Sequence, residues 1–299
     1  MPQRTAGDWG SLLTLVLIWG TAFLFIDLSV ETLPPATLVA VRVGVAALVL
    51  VATCLALGLR LPGFGKIWGR FLTLAVVGNA VPFFAISWGQ ERIASGQAGI
   101  LMAVMPLSTL VLAHFFVADE RMTLRRVVGF TLGFLGIFVL TGPDALARLG
   151  GAPSDIARQL AVLGGALCYA VNTIIARRMP ETHPIVSSTA VMLMASAVML
   201  PAAAWLDAPW TLAPTAVSVN SAIWLGVVPT AVATVLYFRI VGSAGPTFLS
   251  LINYLIPIVA LVAGVLVLSE VLEWRAVGAL ILVLGGLWTS QRAEPVRAV

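Results

Sequence analysis

The chain has 299 residues, of which 60% are hydrophobic and 10% charged, with a mean hydropathy of +1.04. An ordinary soluble domain carries about a quarter charged residues, so this composition excludes a water-exposed surface. The formal net charge of +4 arises from Lys and Arg at the ends of apolar segments, an ordinary membrane signal that calls for no nucleic-acid partner.

An apolar segment of roughly 20 residues crosses the hydrocarbon core of a bilayer as a helix, because its backbone amides must be satisfied internally where no water is available. Ten such segments follow one another, at about 9–29, 36–57, 70–90, 95–117, 125–141, 158–178, 185–206, 218–241, 246–268 and 273–290, and no stretch is left for a soluble domain. The first follows Arg4 closely, so a cleavable signal peptide competes; the long apolar run, the lack of a small-x-small cleavage site and a partner at the sixth span argue for a permanent helix. Trp19 sits near its middle. The second opens after Pro34-Pro35 and holds Arg42, the one Lys or Arg set well inside a span rather than at its end. Arg42 is expected either to snorkel outward and pair with Asp27 or Glu31, or to face the path and hold a substrate carboxylate through a bidentate contact.

The third span carries Asn79, Pro82 and Phe83 and ends at Glu91; the fourth carries Met102, Met105, Pro106 and, toward its far end, His114. In the fifth, Gly129-x-x-x-Gly133 permits close helix approach, as does Gly285-Gly286 in the tenth, so these two spans are expected to sit together away from the path. The sixth holds Tyr169 and Asn172, the eighth Pro229 and Tyr237, the ninth Asn253, Tyr254 and Pro257. Trp88, Trp205, Trp210, Trp274 and Trp288 lie nearer span ends and read as interfacial belt residues. Cys54 and Cys168 fall inside apolar segments, as small buried residues rather than a disulfide or a metal site.

The second half repeats the first. Leu33-Pro34-Pro35-Ala36-Thr37 corresponds to His183-Pro184-Ile185-Val186-Ser187, with Glu31-Thr32 matching Glu181-Thr182. Met105-Pro106, Asp119-Glu120 and Arg125-Arg126-Val127-Val128-Gly129 recur as Ile256-Pro257, Ser269-Glu270 and Trp274-Arg275-Ala276-Val277-Gly278. The expected fold is therefore an all-α polytopic membrane protein of ten transmembrane helices, with one five-helix repeat over 1–150 and a second over 151–299. Five is odd, so a unit followed directly by its copy inserts that copy upside down, and exchange of packing between inverted halves yields alternating access. Counting Lys and Arg in alternate breaks puts twelve on one side and four on the other, which predicts an inner (plasma) membrane protein with both termini cytoplasmic.

The run Ala94-Ser95-Gly96-Gln97-Ala98, then Met105-Pro106, Asp119-Glu120-Arg121, Gly129 and Gly136 resembles the EamA repeat of the drug/metabolite transporter superfamily. So does its second copy, Ser243-Ala244-Gly245-Pro246, Pro257, Glu270, Gly278 and Gly285, and so do Trp19-Gly20 and Arg42 after Pro34-Pro35. The resemblance covers essentially the whole chain and is closest to aromatic amino acid exporters of the YddG type. It implies a ten-helix carrier that exports small metabolites through the lipid bilayer.

Polar groups at mid-span have no partner in lipid and turn inward, so Asn79, Asn172 and Asn253 are candidates for a substrate head group; interhelical fastening is the alternative for each. Trp19, Phe83, Tyr169, Tyr237 and Tyr254 would stack on a flat apolar substrate, with plain core packing as the alternative, and Met102 offers an adaptable wall. Pro82 and Pro229, and Pro106 and Pro257, recur across the halves as possible gate or hinge points. A proton or sodium antiporter usually keeps a carboxylate at mid-span; none is present, which favours uncoupled export, although Glu91 and His114 are possible titrating groups and a proton-coupled drug/metabolite antiporter is the alternative. The chain carries no His-Glu-x-x-His, Gly-x-Ser-x-Gly or Walker pattern, so an intramembrane enzyme is disfavoured and no catalytic residue, metal site or cofactor is expected. A monomer is the expected working unit, with a dimer as the alternative.

Overall fold

The computed structural model describes residues 5–93, 98, 101–102, 104–118, 122–147, 153–252, 255–256 and 274–291. In chain order these form α1 (Ala6–Val30), α2 (Pro35–Ala56), α3 (Lys66–Gln90), α4 (Val104–Phe116), α5 (Leu124–Ala147), α6 (Pro153–Arg177), α7 (Pro184–Leu206), α8 (Ala216–Ser243), α9 (Pro246–Ser250) and α10 (Trp274–Gln291), and no strand occurs among the described residues. Six of them, α1, α2, α3, α6, α7 and α8, are long and apolar enough to cross a membrane, with shorter apolar stretches at Val104–Phe116 and Val277–Ser290. Most of the expected ninth span lies outside the described residues.

Helix starts follow local chemistry. Thr5 and Asp8 form a capping box, the Asp8 N–H donating to Thr5 Oγ1 and the Thr5 N–H donating to the Asp8 carboxylate, so two otherwise orphan donors are satisfied. Pro35 and Pro184 occupy the first turns of α2 and α7, where a missing N–H costs nothing. Thr215 caps α8 by accepting from the Ser218 N–H.

Two helices depart from α geometry in mid-course. A π-helical segment spans Val76–Ala80 in α3 and Val227–Val232 in α8. Pro229 has no N–H to give the carbonyl of Leu225, and the Thr230 hydroxyl donates to that carbonyl instead, at 2.7 Å. In α3 the Asn79 amide plays the same part toward Leu74, at 3.3 Å. Pro229 thus lies inside its irregular segment, whereas Pro82 lies just beyond the other.

Small residues set the helix contacts. α2 packs closely on α7, where Cys54 Sγ lies 3.3 Å from Thr189 Oγ1, and both helices bury small residues such as Ala40, Ala46, Ala190 and Ala195. α5 and α10 pack on one another more extensively than any other pair, and there a Cβ on Gly129 would meet the carbonyl of Gly286 while one on Gly286 would meet that of Gly129. Some of the other contacts match across the halves, α1 with α8 and α6 with α3, α2 with α8 and α7 with α3, while α4 also packs on α6. Large apolar side chains such as Leu48, Leu55, Phe115 and Leu160 cover the outer surface, as a lipid-facing protein requires. Trp205, Trp210, Trp274 and Trp288 are exposed on that surface, but Trp88 is covered by the guanidinium of Arg158, 3.9 Å above its ring.

Candidate functional site

A cavity lies between the two halves of the chain, with about 1010 Å³ not filled by protein atoms, its open mouth included. Its walls come from α1, α2, α3, α4, α6, α7, α8 and α9, together with Met102 and Ile256; none of the described lining residues belongs to α5 or α10. Trp19, Asn79, Phe83, Met102, Tyr169, Asn172 and Tyr237 all line it. Asn253, Tyr254 and Pro257 lie outside the described residues.

The aromatic side chains are held by hydrogen bonds and ring contacts that leave flat faces as walls. Trp19 donates its indole N–H to the carbonyl of Pro229 at 3.0 Å, which ties α1 to the irregular turn of α8. Phe83 meets Tyr169 edge to face with ring centres 6.4 Å apart. Asn172, one turn beyond Tyr169 on α6, donates from Nδ2 to the Tyr237 hydroxyl at 2.9 Å. Its amide lies against Gly78, where any Cβ would collide with it, so only glycine lets α3 and α6 meet at this level. Asn172 Oδ1 is buried and accepts no hydrogen bond from any described residue.

Arg42 turns inward. Its side chain is 5% exposed, its Nε donates to Thr230 Oγ1 at 2.7 Å, and its guanidinium stacks 3.7 Å from the centre of the Phe83 ring. This rules out the expected outward excursion: Asp27 instead accepts from Gln90 at 2.7 Å, and the close crossing of α8 at Gly226, where a Cβ would meet the Arg42 carbonyl, brings Thr230 to the guanidinium. Glu91 is not a cavity group either, since it forms an ion pair with Arg158 at the far end of α3. His114 also stays outside, its Nδ1 accepting from the Met122 N–H at 3.0 Å and its ring set edge-on to Phe115. Pro229 lines the cavity, while Pro82 and Pro106 are not among its lining residues.

Several lining residues escaped the sequence reading. Phe23 and Ile26 extend the α1 wall beyond Trp19 at helical spacing, and Thr234 and Phe238 do the same for Tyr237 on α8. Thr230, which holds Arg42, carries no signal in the sequence beyond its place next to Pro229. The lining is mostly apolar, with Asn79, Asn172, Thr173 and Thr234 as its neutral polar side chains beside the tyrosines, and Arg42 is its one charged residue among those described. No group of three His, Cys, Asp or Glu side chains that could hold a metal occurs among the described residues.

Comparison with known proteins gives a family. The EamA-like transporter family matches residues 9–142 and again 158–290. The "Uncharacterized inner membrane transporter YedA" of Escherichia coli K12 is 25% identical over 279 residues, covering 91% of this chain and 88% of the relative. An "Uncharacterized transporter" of Archaeoglobus fulgidus is 27% identical over 281 residues, 94% of this chain and 97% of the relative. A "Probable terminal-alkyne amino-acid exporter" of Streptantibioticus cattleyicolor is 27% identical over 267 residues, 88% of this chain and 86% of its own. A solved crystal structure matches in fold with a TM-score of 0.75 at 20% identity, covering 96% of this chain and 98% of that one.

Proposed function

The chain belongs to the EamA-like transporter family, which makes it a multi-pass membrane transporter rather than an enzyme, and from that premise we propose that it exports small metabolites, amino acids with aromatic or other apolar side chains among them. The observation that carries this reading is the cavity itself, apolar and aromatic-walled, drawn from both matched halves, with amides and one guanidinium as its polar points. A pocket of that chemistry suits an amphipathic molecule with a flat apolar body and a small charged head. Trp19, Phe83 and Tyr169 receive the body; Asn79, Asn172 and Tyr237 lie within reach of the head. The relative named for export of terminal-alkyne amino acids supports an amino-acid head group and outward transport.

Alternating access follows from the architecture we assign: ten spans as two inverted five-helix repeats, working as a monomer with both termini in the cytoplasm. The matched contacts of α1 with α8 and of α6 with α3 support that symmetry, since exchanging the halves exchanges these pairs. Pro229 and Pro82, at or beside the two irregular turns, are the hinge candidates the geometry favours. Transport is uncoupled, because the described lining holds no carboxylate to carry a proton or bind sodium.

The test is uptake of labelled tryptophan, phenylalanine, alanine and a sugar into liposomes holding the purified protein, with and without the same unlabelled compound inside. Saturable uptake of the aromatic amino acids, accelerated by internal substrate, is the expected result. Uptake no faster than in protein-free liposomes for every amino acid would reject the substrate class.

A further inference from the structure

Arg42 poses a problem in electrostatics that the protein leaves unsolved. It is buried, it is the one charged residue among the described cavity lining, and no described carboxylate pairs with it. Isolating a cation from water is expensive unless a counter-charge completes the site. Its Nε is committed to Thr230 Oγ1 and one face of its plane to Phe83. What remains are the two terminal nitrogens, whose N–H groups form a flat fork that matches the two oxygens of a carboxylate. Thr230 fixes the plane of that fork. Its hydroxyl accepts from Arg42 and donates to the Leu225 carbonyl that Pro229 leaves free, so it cannot rotate without breaking a bond.

We propose that Arg42 is the receptor for the carboxylate of the substrate, with Thr230 as its positioning residue, so that the cavity admits carboxylates and refuses cationic amines of the same shape. This rests on the cavity being the substrate site, and it narrows the substrate to molecules with a free carboxylate. An amine entering alone meets a like charge across low-dielectric walls, where repulsion is weakly screened. A zwitterionic amino acid presents its carboxylate to the fork.

Binding to the purified full-length protein, measured by calorimetry with four probes of one shape, tests this. They are L-phenylalanine, 3-phenylpropionate, phenethylamine and the uncharged 3-phenylpropanol. The two carboxylates should bind at least about tenfold more tightly than phenethylamine, as loss of a charge-assisted pair predicts. R42Q should erase that preference while leaving phenylpropanol binding in place, which also reports that the variant is folded. R42K keeps the charge without the fork and should weaken the carboxylates several-fold; should R42Q fail to fold, R42K and the native panel decide. T230V should weaken carboxylate binding and T230S restore it. Phenethylamine binding within twofold of phenylalanine, or a carboxylate preference that survives in R42Q, overturns the proposal while leaving amino-acid transport standing. Arg42-dependent binding of 3-phenylpropionate without phenylalanine would do the reverse, and no binding by any probe would overturn both.

Discussion

Trp19 does two things at once: it offers an indole face to the cavity and caps the Pro229 carbonyl with its N–H. Trp19→Phe should therefore keep most of the substrate contact and lose the tie to α8, whereas Trp19→Ala loses both. The expected outcome is an apparent Km for phenylalanine raised about 3- to 10-fold by the alanine variant, with membrane expression unchanged, measured as initial uptake rates in vesicles. Asn172→Leu removes an amide whose oxygen has no partner among the described residues and whose nitrogen holds Tyr237. If that oxygen reads the substrate's ammonium, transport by correctly inserted protein should fall by about tenfold or more, while normal transport would make the amide purely structural. Both residues were legible in the sequence, Asn172 because an amide in mid-span has no partner in lipid and Trp19 because its indole N–H needs an acceptor there. Thr230 was not, since a threonine satisfies its own hydroxyl on the helix backbone and can sit anywhere in a span.

Among the helices, α5 and α10 are built as a brace. Gly129 and Gly286 bring two backbones so close that a side chain on either would strike the other helix. Gly129→Val should lower stability by roughly 1–3 kcal/mol through overpacking. Because no described residue of either helix lines the cavity, phenylalanine affinity in the surviving fold should be unchanged; a thermal melt alongside a binding isotherm separates the two, and a large affinity loss would contradict the separation. This pairing could be anticipated from Gly-x-x-x-Gly spacing. The π segments of α3 and α8 could not, although Pro82 and Pro229 marked where to look. A proline says that a carbonyl is freed, but whether the helix kinks or widens depends on who answers that carbonyl. At Pro229 the answer comes from Thr230, which takes the Leu225 carbonyl; near Pro82 the Asn79 amide takes the Leu74 carbonyl, not the one Pro82 frees.

At the scale of the whole molecule, the cavity's charge decides what can drive transport. Its described lining contains one cation and no acid, and Glu91 is spent in its ion pair with Arg158 away from the cavity. Collapsing a proton gradient across reconstituted vesicles should therefore leave counterflow of phenylalanine intact, and a strict dependence on the pH difference would show that a titrating group acts elsewhere. The sequence by itself determined that this is a helical membrane protein, because hydropathy is local and a bilayer accepts few alternatives. Only the tertiary structure decided which face of each helix looks into the cavity. Arg42 turned inward rather than toward Asp27 because Thr230, 188 residues away, receives its Nε where α8 crosses α2 at a glycine. The rotation of a helix about its own axis is set by such distant partners, and no stretch of neighbouring residues carries that information.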